Sequence, residues 1–406
     1  MKTAECFFNY EKLLHEKAVN SPFRDFSVGN TKKDVVSLVK KSLRINDTWI
    51  PELNVEVVRT IKKSSFSVQT LKAESWTGVS ATANLYIPEN ISPGDKRPLI
   101  IICCGHGKEG KLTPAYQTMA AIFATQGSLA LVPDNMGQGE RTAMGHYDCP
   151  MVFACGLSVQ GLIVMETIGW LHWAEKLPCV DSLRIGATGN SGGGTLSLFL
   201  CALYPGLSAA CPTGYPSTFD FIARKEKRHC HCNIIPGCLG RYEMYDVLGC
   251  FAPKPLLIAQ GTDDRMFPED VFYSTARKVK DIYTGVGAKD NFDAVSLPGT
   301  HSWDSERQDL IARFFQKEFD LMPPGTLADS DLLTEKDRVF KNWPEAALTT
   351  EQLACTLTNH DYPVGCQFED VFKPRFDPED TQGHPFRSVD MRRIFAQFEA
   401  FCYEPN

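Results

Sequence analysis

The sequence predicts an α/β fold, with a mostly parallel central sheet and helices on both of its faces. Three observations support this prediction. Short apolar runs typical of buried parallel strands recur along the chain. Helical patterns lie between these runs, and a glycine-rich turn joins one strand directly to the helix that follows it. Regular alternation of strands and helices favours a parallel sheet covered by helices on both faces.

The first buried strands are predicted in the middle of the chain. Residues 98–104 are almost continuously apolar, and residues 129–132 and 185–188 form two further apolar runs. A helical pattern over residues 160–176 separates the last two of these strands. Upstream, residues 55–88 have the alternating pattern of strands, which we expect to be antiparallel and to lead into the parallel core.

The turn after the third strand contains a GxSxG pattern with Ser191 at its centre. Between a strand and a helix, this pattern is typical of a nucleophile elbow, a strained turn that projects the serine hydroxyl from the end of the sheet. The alternative is a phosphate-binding loop, but no Lys-Ser or Lys-Thr pair follows the glycines and the GxGxxG spacing is absent. Ser191 is therefore the candidate nucleophile.

A serine nucleophile needs a base, and the base needs a carboxylate to orient it. In chains with this kind of elbow, the order is serine, acid, histidine. One buried strand run ends just before Asp263 and Asp264, and the next ends just before His301. Asp264, four residues before the helix-opening Pro268, is favoured over Asp263. We therefore predict a triad of Ser191, Asp264 and His301.

An oxyanion hole is predicted from the turn that follows the strand at residues 98–104. This turn, Gly105–Gly107, exposes backbone N–H groups beside the predicted elbow. The expected donors are the backbone N–H groups of Gly192 and His106. The His106 imidazole has no predicted catalytic role.

Together with segments 132–141 and 252–256, these motifs resemble the α/β-hydrolase superfamily, specifically its branch of bacterial acetyl xylan esterases and dienelactone hydrolase-like proteins. The resemblance covers residues 75–320 and implies ester hydrolysis by a Ser-Asp-His triad without a cofactor. Two positions depart from the family pattern. Asn190 replaces a bulkier or histidine side chain, and Ser191 replaces the cysteine nucleophile of true dienelactone hydrolases, which argues against that reaction.

We predict three parts of the chain. Residues 1–75 form N-terminal helices and antiparallel strands, residues 76–320 form the α/β-hydrolase catalytic domain, and residues 321–406 form a C-terminal extension. The extension is rich in aromatic residues and ends in a helical pattern. Two roles are open for it: covering the core, or joining a neighbouring subunit in a homo-oligomer.

Two insertions, residues 142–156 and 212–250, are predicted to shape substrate specificity. The second is rich in aromatic residues, and Tyr215, His231 and Tyr242 are the substrate-binding candidates. The alternative is ordinary packing of a long loop.

The Cys230-His231-Cys232 sequence also suggests a metal site. However, these candidate ligands occupy consecutive positions, whereas two residues separate the cysteines in the CxxC pattern of zinc sites. The sequence also shows no obvious second pair of ligands. The favoured interpretation is that this segment lines the pocket, and no metal is predicted.

Composition excludes several classes of partner. A net charge of −7 and a pI near 5.8 give no electrostatic basis for binding nucleic acid or an anionic membrane. The N-terminus lacks a signal-peptide pattern, and no apolar run is long enough to span a membrane. The 15 cysteines fit a reducing compartment better than a disulfide framework. We therefore expect a cytoplasmic protein.

The predicted function is that of a serine carboxylesterase acting on a small-acyl ester, such as an acetyl ester, of a carbohydrate or metabolite. Two alternatives stay open. One is a peptidase of the prolyl-oligopeptidase type, although the residues ahead of the core are too few for a propeller domain. The other is a non-catalytic binding protein on a hydrolase scaffold.

Overall fold

A single mixed sheet runs through the described part of the protein. The structure, a computed structural model, describes residues 32–89, 91–147, 149–224, 230–238 and 241–359. Within these ranges nine strands are present: β1 (Asn54–Lys62), β2 (Phe66–Glu74), β3 (Ser80–Pro88), β4 (Arg97–Cys103), β5 (Leu129–Pro133), β6 (Val180–Asn190), β7 (Ala209–Thr213), β8 (Leu256–Gly261) and β9 (Phe292–Leu297).

The strand order across the sheet is β1-β2-β3-β5-β4-β6-β7-β8-β9. Strands β1 to β3 pair antiparallel, and β3 joins β5 antiparallel. From β5 to β9 all neighbouring strands are parallel. The predicted mostly parallel sheet with leading antiparallel strands is therefore confirmed, and the carboxyl ends of the parallel strands share one edge.

Helices cover both faces of the sheet, as predicted. Among the described residues, no helix is both long and apolar enough to cross a bilayer. The helices are α1 (Lys32–Leu43), α2 (Pro114–Thr125), α3 (Pro150–Ala154), α4 (Val159–Glu175), α5 (Gly192–Leu203), α6 (Phe219–Arg224), α7 (Met244–Gly249), α8 (Glu269–Gly285), α9 (Ser305–Phe319) and α10 (Thr350–Leu357).

Two apolar cores lie on opposite faces because alternate side chains of each strand point in opposite directions. In β4, Leu99 and Ile101 belong to the core under α4 and α5. Their neighbours Ile100 and Ile102 belong to the core under α2 and α9. Burial on both faces explains why β4 is a continuous apolar run in the sequence.

The three predicted parts of the chain contact one another in the described structure. The division after residue 75 falls between β2 and β3, which pair along their whole length in the same sheet. The described part of the C-terminal extension lies against the core: the Leu333 N–H donates to Gln117 Oε1 at 2.6 Å, and Thr350 Oγ1 donates to the carbonyl of Gly145 at 2.7 Å. The portion of the predicted N-terminal helices that falls in residues 1–31, and the predicted C-terminal helix, lie outside the described residues.

A buried ion pair ties the segment after β5 to α4. The Arg141 guanidinium, fully buried, donates to both carboxylate oxygens of Glu166, at 2.5 and 2.8 Å. The same guanidinium donates to the carbonyl of Asp134, and Ser75 Oγ donates to Glu166 at 2.6 Å. Removing one charge of a buried pair leaves the other uncompensated, which costs more than the pair itself contributes.

We therefore expect Glu166→Gln to lower the free energy of unfolding by about 3–5 kcal/mol, since Arg141 would stay charged and buried. The matched control is Glu52→Gln, because Glu52 pairs with Lys176 at 2.7 Å on the surface, where both side chains are mostly exposed. This control should leave stability unchanged within error. Urea unfolding of both variants checks the prediction, and equal effects would contradict it.

Candidate active site

Ser191 occupies the turn between β6 and α5. Its backbone has φ 58° and ψ −121°, a region that residues with a side chain rarely adopt. Hydrogen bonds hold this conformation: the Ser191 N–H donates to the Thr213 carbonyl at 3.1 Å, and its carbonyl accepts from the Thr195 N–H at 2.9 Å. The predicted strand–turn–helix context is therefore present, with the serine at the carboxyl edge of the parallel sheet.

Glycines permit the end of β4 to lie against this turn. A Cβ atom on Gly193 would lie 1.9 Å from the carbonyl oxygen of Cys103, and a Cβ on Gly105 would lie 2.6 Å from that of Asn190. Neither distance is sterically possible. The close approach brings residues 105–107 beside Ser191, where their backbone can face the same space.

His301 and Asp264 are in direct contact. His301 Nδ1 lies 2.7 Å from Asp264 Oδ2, and the other carboxylate oxygen accepts from the N–H groups of Met266, at 2.8 Å, and Phe267, at 3.1 Å. Asp264 is 4% exposed. Asp263 is exposed and accepts from its neighbour Thr262 Oγ1 at 3.1 Å. Of the two candidate aspartates, Asp264 is thus the one that contacts His301.

Two of the three predicted triad residues and both predicted oxyanion donors line one pocket of about 500 Å³. Ser191, Gly192, His106 and His301 all line it. Aromatic and small polar side chains form much of the remaining wall, including Tyr116, Tyr147, Tyr215, Phe267, Trp303 and Asn233.

Side chains that the sequence did not identify hold the turn after β4. Tyr116 OH accepts from the Gly105 N–H at 2.7 Å, and Gln138 Oε1 accepts from the Gly107 N–H at 3.0 Å. Asn135 Nδ2 donates to the Cys104 carbonyl at 2.6 Å. Asn135 and Gln138 belong to segment 132–141, which contributed to the family resemblance. The sequence therefore contained a signal from which these two residues could have been identified. These bonds fix the backbone on both sides of His106.

One of the three predicted substrate-binding residues lies at the pocket. Tyr215 lines it, whereas His231 and Tyr242 are fully buried and do not reach its wall. His231 Nδ1 accepts from the Cys149 N–H at 2.7 Å, and the Tyr242 ring packs edge-on against Phe219 at 5.6 Å. In the described structure His231 and Tyr242 therefore belong to the core of the insertion, and Tyr215 is the candidate that faces the pocket.

A compact cluster of His and Cys side chains adjoins the pocket. One potential ligand atom from each of His106, His146, Cys230 and Cys232 lies within 4.8 Å of all the others. No metal was predicted from the sequence, because the spacing of Cys230 and Cys232 differs from CxxC and no second ligand pair was obvious. That pair comes from the turn after β4 and from the first insertion, which lie at the same edge of the sheet.

The atoms of this cluster face one another closely. His106 Nε2 is 2.9 Å from His146 Nε2 and 2.8 Å from Cys230 Sγ, and the two sulfur atoms are 2.6 Å apart. The twelve cysteines within the described ranges form no disulfide. Although burial opposes ionisation of Cys230, hydrogen bonds from Cys232 and His106 hold the pKa of the Cys230 thiol well below its usual range.

Comparison with known proteins shows similarity chiefly at the level of fold. No family model matches the chain. Over 190 residues, the chain is 22% identical to YtaP of Bacillus subtilis (strain 168), a provisionally assigned hydrolase. This alignment covers 46% of the chain and 64% of YtaP, less than two thirds of that protein's length.

Solved structures align over more of the chain. Methylesterase BT1017 has a TM-score of 0.61 at 21% identity, covering 91% of this chain and 78% of its own. A provisionally assigned acetyl xylan esterase of Bacteroides fragilis has a TM-score of 0.55 at 18% identity, covering 89% and 93%. A glucuronoyl esterase of Teredinibacter turnerae has a TM-score of 0.55 at 13% identity, covering 77% and 99%. The protein therefore has the α/β-hydrolase fold, as predicted.

Proposed function

We propose that this protein is a serine carboxylesterase that hydrolyses a small-acyl ester of a carbohydrate or metabolite, with Ser191, Asp264 and His301 as its catalytic triad. The observation that carries the proposal is the contact between His301 Nδ1 and buried Asp264, in a pocket that His301 shares with strained Ser191. A histidine oriented in this way presents Nε2 to the pocket as a general base.

In the first half-reaction, Ser191 Oγ attacks the ester carbonyl carbon while His301 Nε2 takes the hydroxyl proton. The Asp264 carboxylate accepts a hydrogen bond from His301 Nδ1 and stabilises the imidazolium that forms. The carbonyl oxygen becomes an oxyanion, for which the N–H groups of Gly192 and His106 are the proposed donors. The Gly192 N–H is available because the first N–H groups of a helix have no acceptor within it.

Collapse of this intermediate breaks the ester C–O bond. His301 returns its proton to the departing alcohol and leaves an acyl group on Ser191 Oγ. In the second half-reaction, water attacks the acyl carbon and gives a proton to His301. The acid then leaves, and the proton passes back to Ser191 Oγ.

The residues of the pocket wall are suited to contacts with an uncharged substrate. Tyr116, Tyr215, Phe267 and Trp303 provide faces suited to packing against a sugar ring or an alkyl group, while Thr113 and Asn233 provide polar contacts. The structural neighbours named above as esterases of acetyl, methyl and glucuronoyl groups favour a carbohydrate ester. Among acetyl, methyl and glucuronoyl esters, we propose an acetyl ester as the substrate.

The peptidase alternative has no structural feature in its favour among the described residues. The segment ahead of the parallel strands forms α1 and the antiparallel strands β1–β3, which extend the same sheet. Peptide hydrolysis is therefore considered only as one of the possible results of the activity test described next.

The first test is hydrolysis of p-nitrophenyl esters from acetyl to octanoyl, and of acetylated and methyl-esterified sugars, by wild type and Ser191→Ala. We expect turnover to be highest for acetyl esters and to fall by about 10⁴-fold in Ser191→Ala, because the nucleophile is lost. Circular dichroism and thermal unfolding should show unchanged folding. Peptide cleavage without ester cleavage, or full activity in Ser191→Ala, would contradict the proposal.

The second test compares Asp264→Asn with Asp263→Asn, two identical substitutions at adjacent positions. Asp264→Asn should lower kcat by up to about 10⁴-fold, since an amide cannot hold the same His301 tautomer or stabilise its charged form. Asp263→Asn should retain most of the activity, because the Asp263 side chain is exposed and its carboxylate accepts from the neighbouring Thr262 hydroxyl. Steady-state kinetics decides the matter, and equal losses would contradict the assignment of Asp264.

A further inference from the structure

We propose that His106, His146, Cys230 and Cys232 bind a structural zinc ion beside the active site. Two imidazole nitrogens and two thiolates form a donor set that Zn²⁺ favours, and four protein ligands complete its tetrahedral coordination. Three distant segments supply these ligands: the turn after β4, the insertion after β5 and the insertion after β7. The inference does not depend on the proposed esterase activity.

The geometry requires only small movements to admit the ion. All four potential ligand atoms lie within 4.8 Å of one another, and the nearest pairs are 2.6–3.2 Å apart. Ligand atoms at Zn–N distances of about 2.0 Å and Zn–S distances of about 2.3 Å are separated by between about 3 and 4 Å in a tetrahedron. The close pairs therefore need to move apart, and any pair near 4.8 Å needs to move together, by about an ångström or less.

Neighbouring groups orient the ligands for metal binding. His146 Nδ1 lies 2.9 Å from the carbonyl oxygen of Met136, which can only accept, so Nδ1 carries the proton and Nε2 presents its lone pair to the cluster. Asn233 Nδ2 donates to Cys230 Sγ at 3.3 Å and approaches Cys232 Sγ at 3.6 Å. Such N–H contacts stabilise negative charge on thiolate ligands.

Because the side chains of the cluster are buried, a cation bound between them is the simplest explanation of their close contacts. Cys230 and Cys232 are 7% and 3% exposed, and His146 is 4% exposed. Polar or ionised groups are expensive to bury unless they are paired or coordinate a metal. A disulfide between Cys230 and Cys232 would satisfy the sulfur atoms and would leave the two Nε2 atoms with a single hydrogen bond, from one imidazole to the other. Zinc satisfies all four ligands at once.

The site would also control the oxyanion turn. The His106 ring lies against the Cα of Gly192, where an added Cβ would be 2.7 Å from two ring atoms. A metal bond at His106 Nε2 would fix this ring and hence the position of the His106 N–H, the proposed oxyanion donor. This positioning role, unlike the metal site itself, rests on the proposed function.

The metal site is tested by elemental analysis of the full chain, without an affinity tag, purified under reducing conditions without chelators and desalted after addition of Zn²⁺. We expect about one zinc ion per chain in the wild type. Cys230→Ala should lower the affinity for zinc at least about tenfold. The matched control is Cys238→Ala, the same substitution at a buried cysteine of the same insertion, which should retain the metal.

Replacement of zinc by Co²⁺ provides a second measurement on the same proteins. Tetrahedral cobalt bound by thiolates gives intense charge-transfer and visible absorption bands, which should appear in the wild type and Cys238→Ala and be lost in Cys230→Ala. A wild type without zinc and without these bands would overturn the proposal. A Cys230–Cys232 disulfide detected by mass spectrometry in that protein would identify the cluster as a redox pair instead.

The positioning role is tested with His146→Ala, because His146 does not line the substrate pocket in the described structure. Loss of metal in this variant should lower kcat by about tenfold or more while KM changes little, as expected when oxyanion stabilisation weakens. Unchanged kcat in a folded, metal-free His146→Ala variant would overturn the positioning role and leave the zinc site standing.

Discussion

The close approach of β4 and β6 at their carboxyl ends is the constraint on which the candidate site depends. Cys103 pairs with Gly189, and Gly193 packs so near the Cys103 carbonyl that no side chain could replace its hydrogen. This contact places the turn after β4 beside Ser191. It also places His106 both in the lining of the pocket and, through its ring, in the His-Cys cluster. A looser junction would separate the proposed nucleophile from its oxyanion donors.

The parts that the sequence predicted are those determined by local patterns. Continuous apolar runs identified β4 and β8 because both faces of a central parallel strand are buried. The sharp turn at Ser191 was predictable because an elbow of this kind needs glycines at fixed offsets from its central residue. Asp264 was favoured over Asp263 by its spacing from the next helix, and that spacing has a structural basis, since Asp264 Oδ1 accepts from the two N–H groups that lead into α8.

The positions of the remaining site residues depend on the folding of the two long insertions. The sequence of these insertions shows no periodic pattern from which that folding could be predicted. In Cys230-His231-Cys232, the two sulfur atoms contact each other and His106, whereas His231 contacts the Cys149 backbone. Spacing alone could not separate these environments. His146 was missed for the same reason. Its insertion could have been considered, because it follows β5 at the edge of the sheet where every other candidate residue lies.

The central claim is that the close approach of β4 and β6 holds Ser191 as an activated nucleophile. Covalent labelling tests this claim most directly. A fluorophosphonate reacts when serine Oγ attacks phosphorus and displaces fluoride, a reaction that needs the histidine base as well as the serine. Intact-mass and peptide analysis should show one phosphonyl group per chain, on Ser191, in the wild type and almost none in folded His301→Gln. Absence of labelling in the folded wild type, or equal labelling in His301→Gln, would contradict the account.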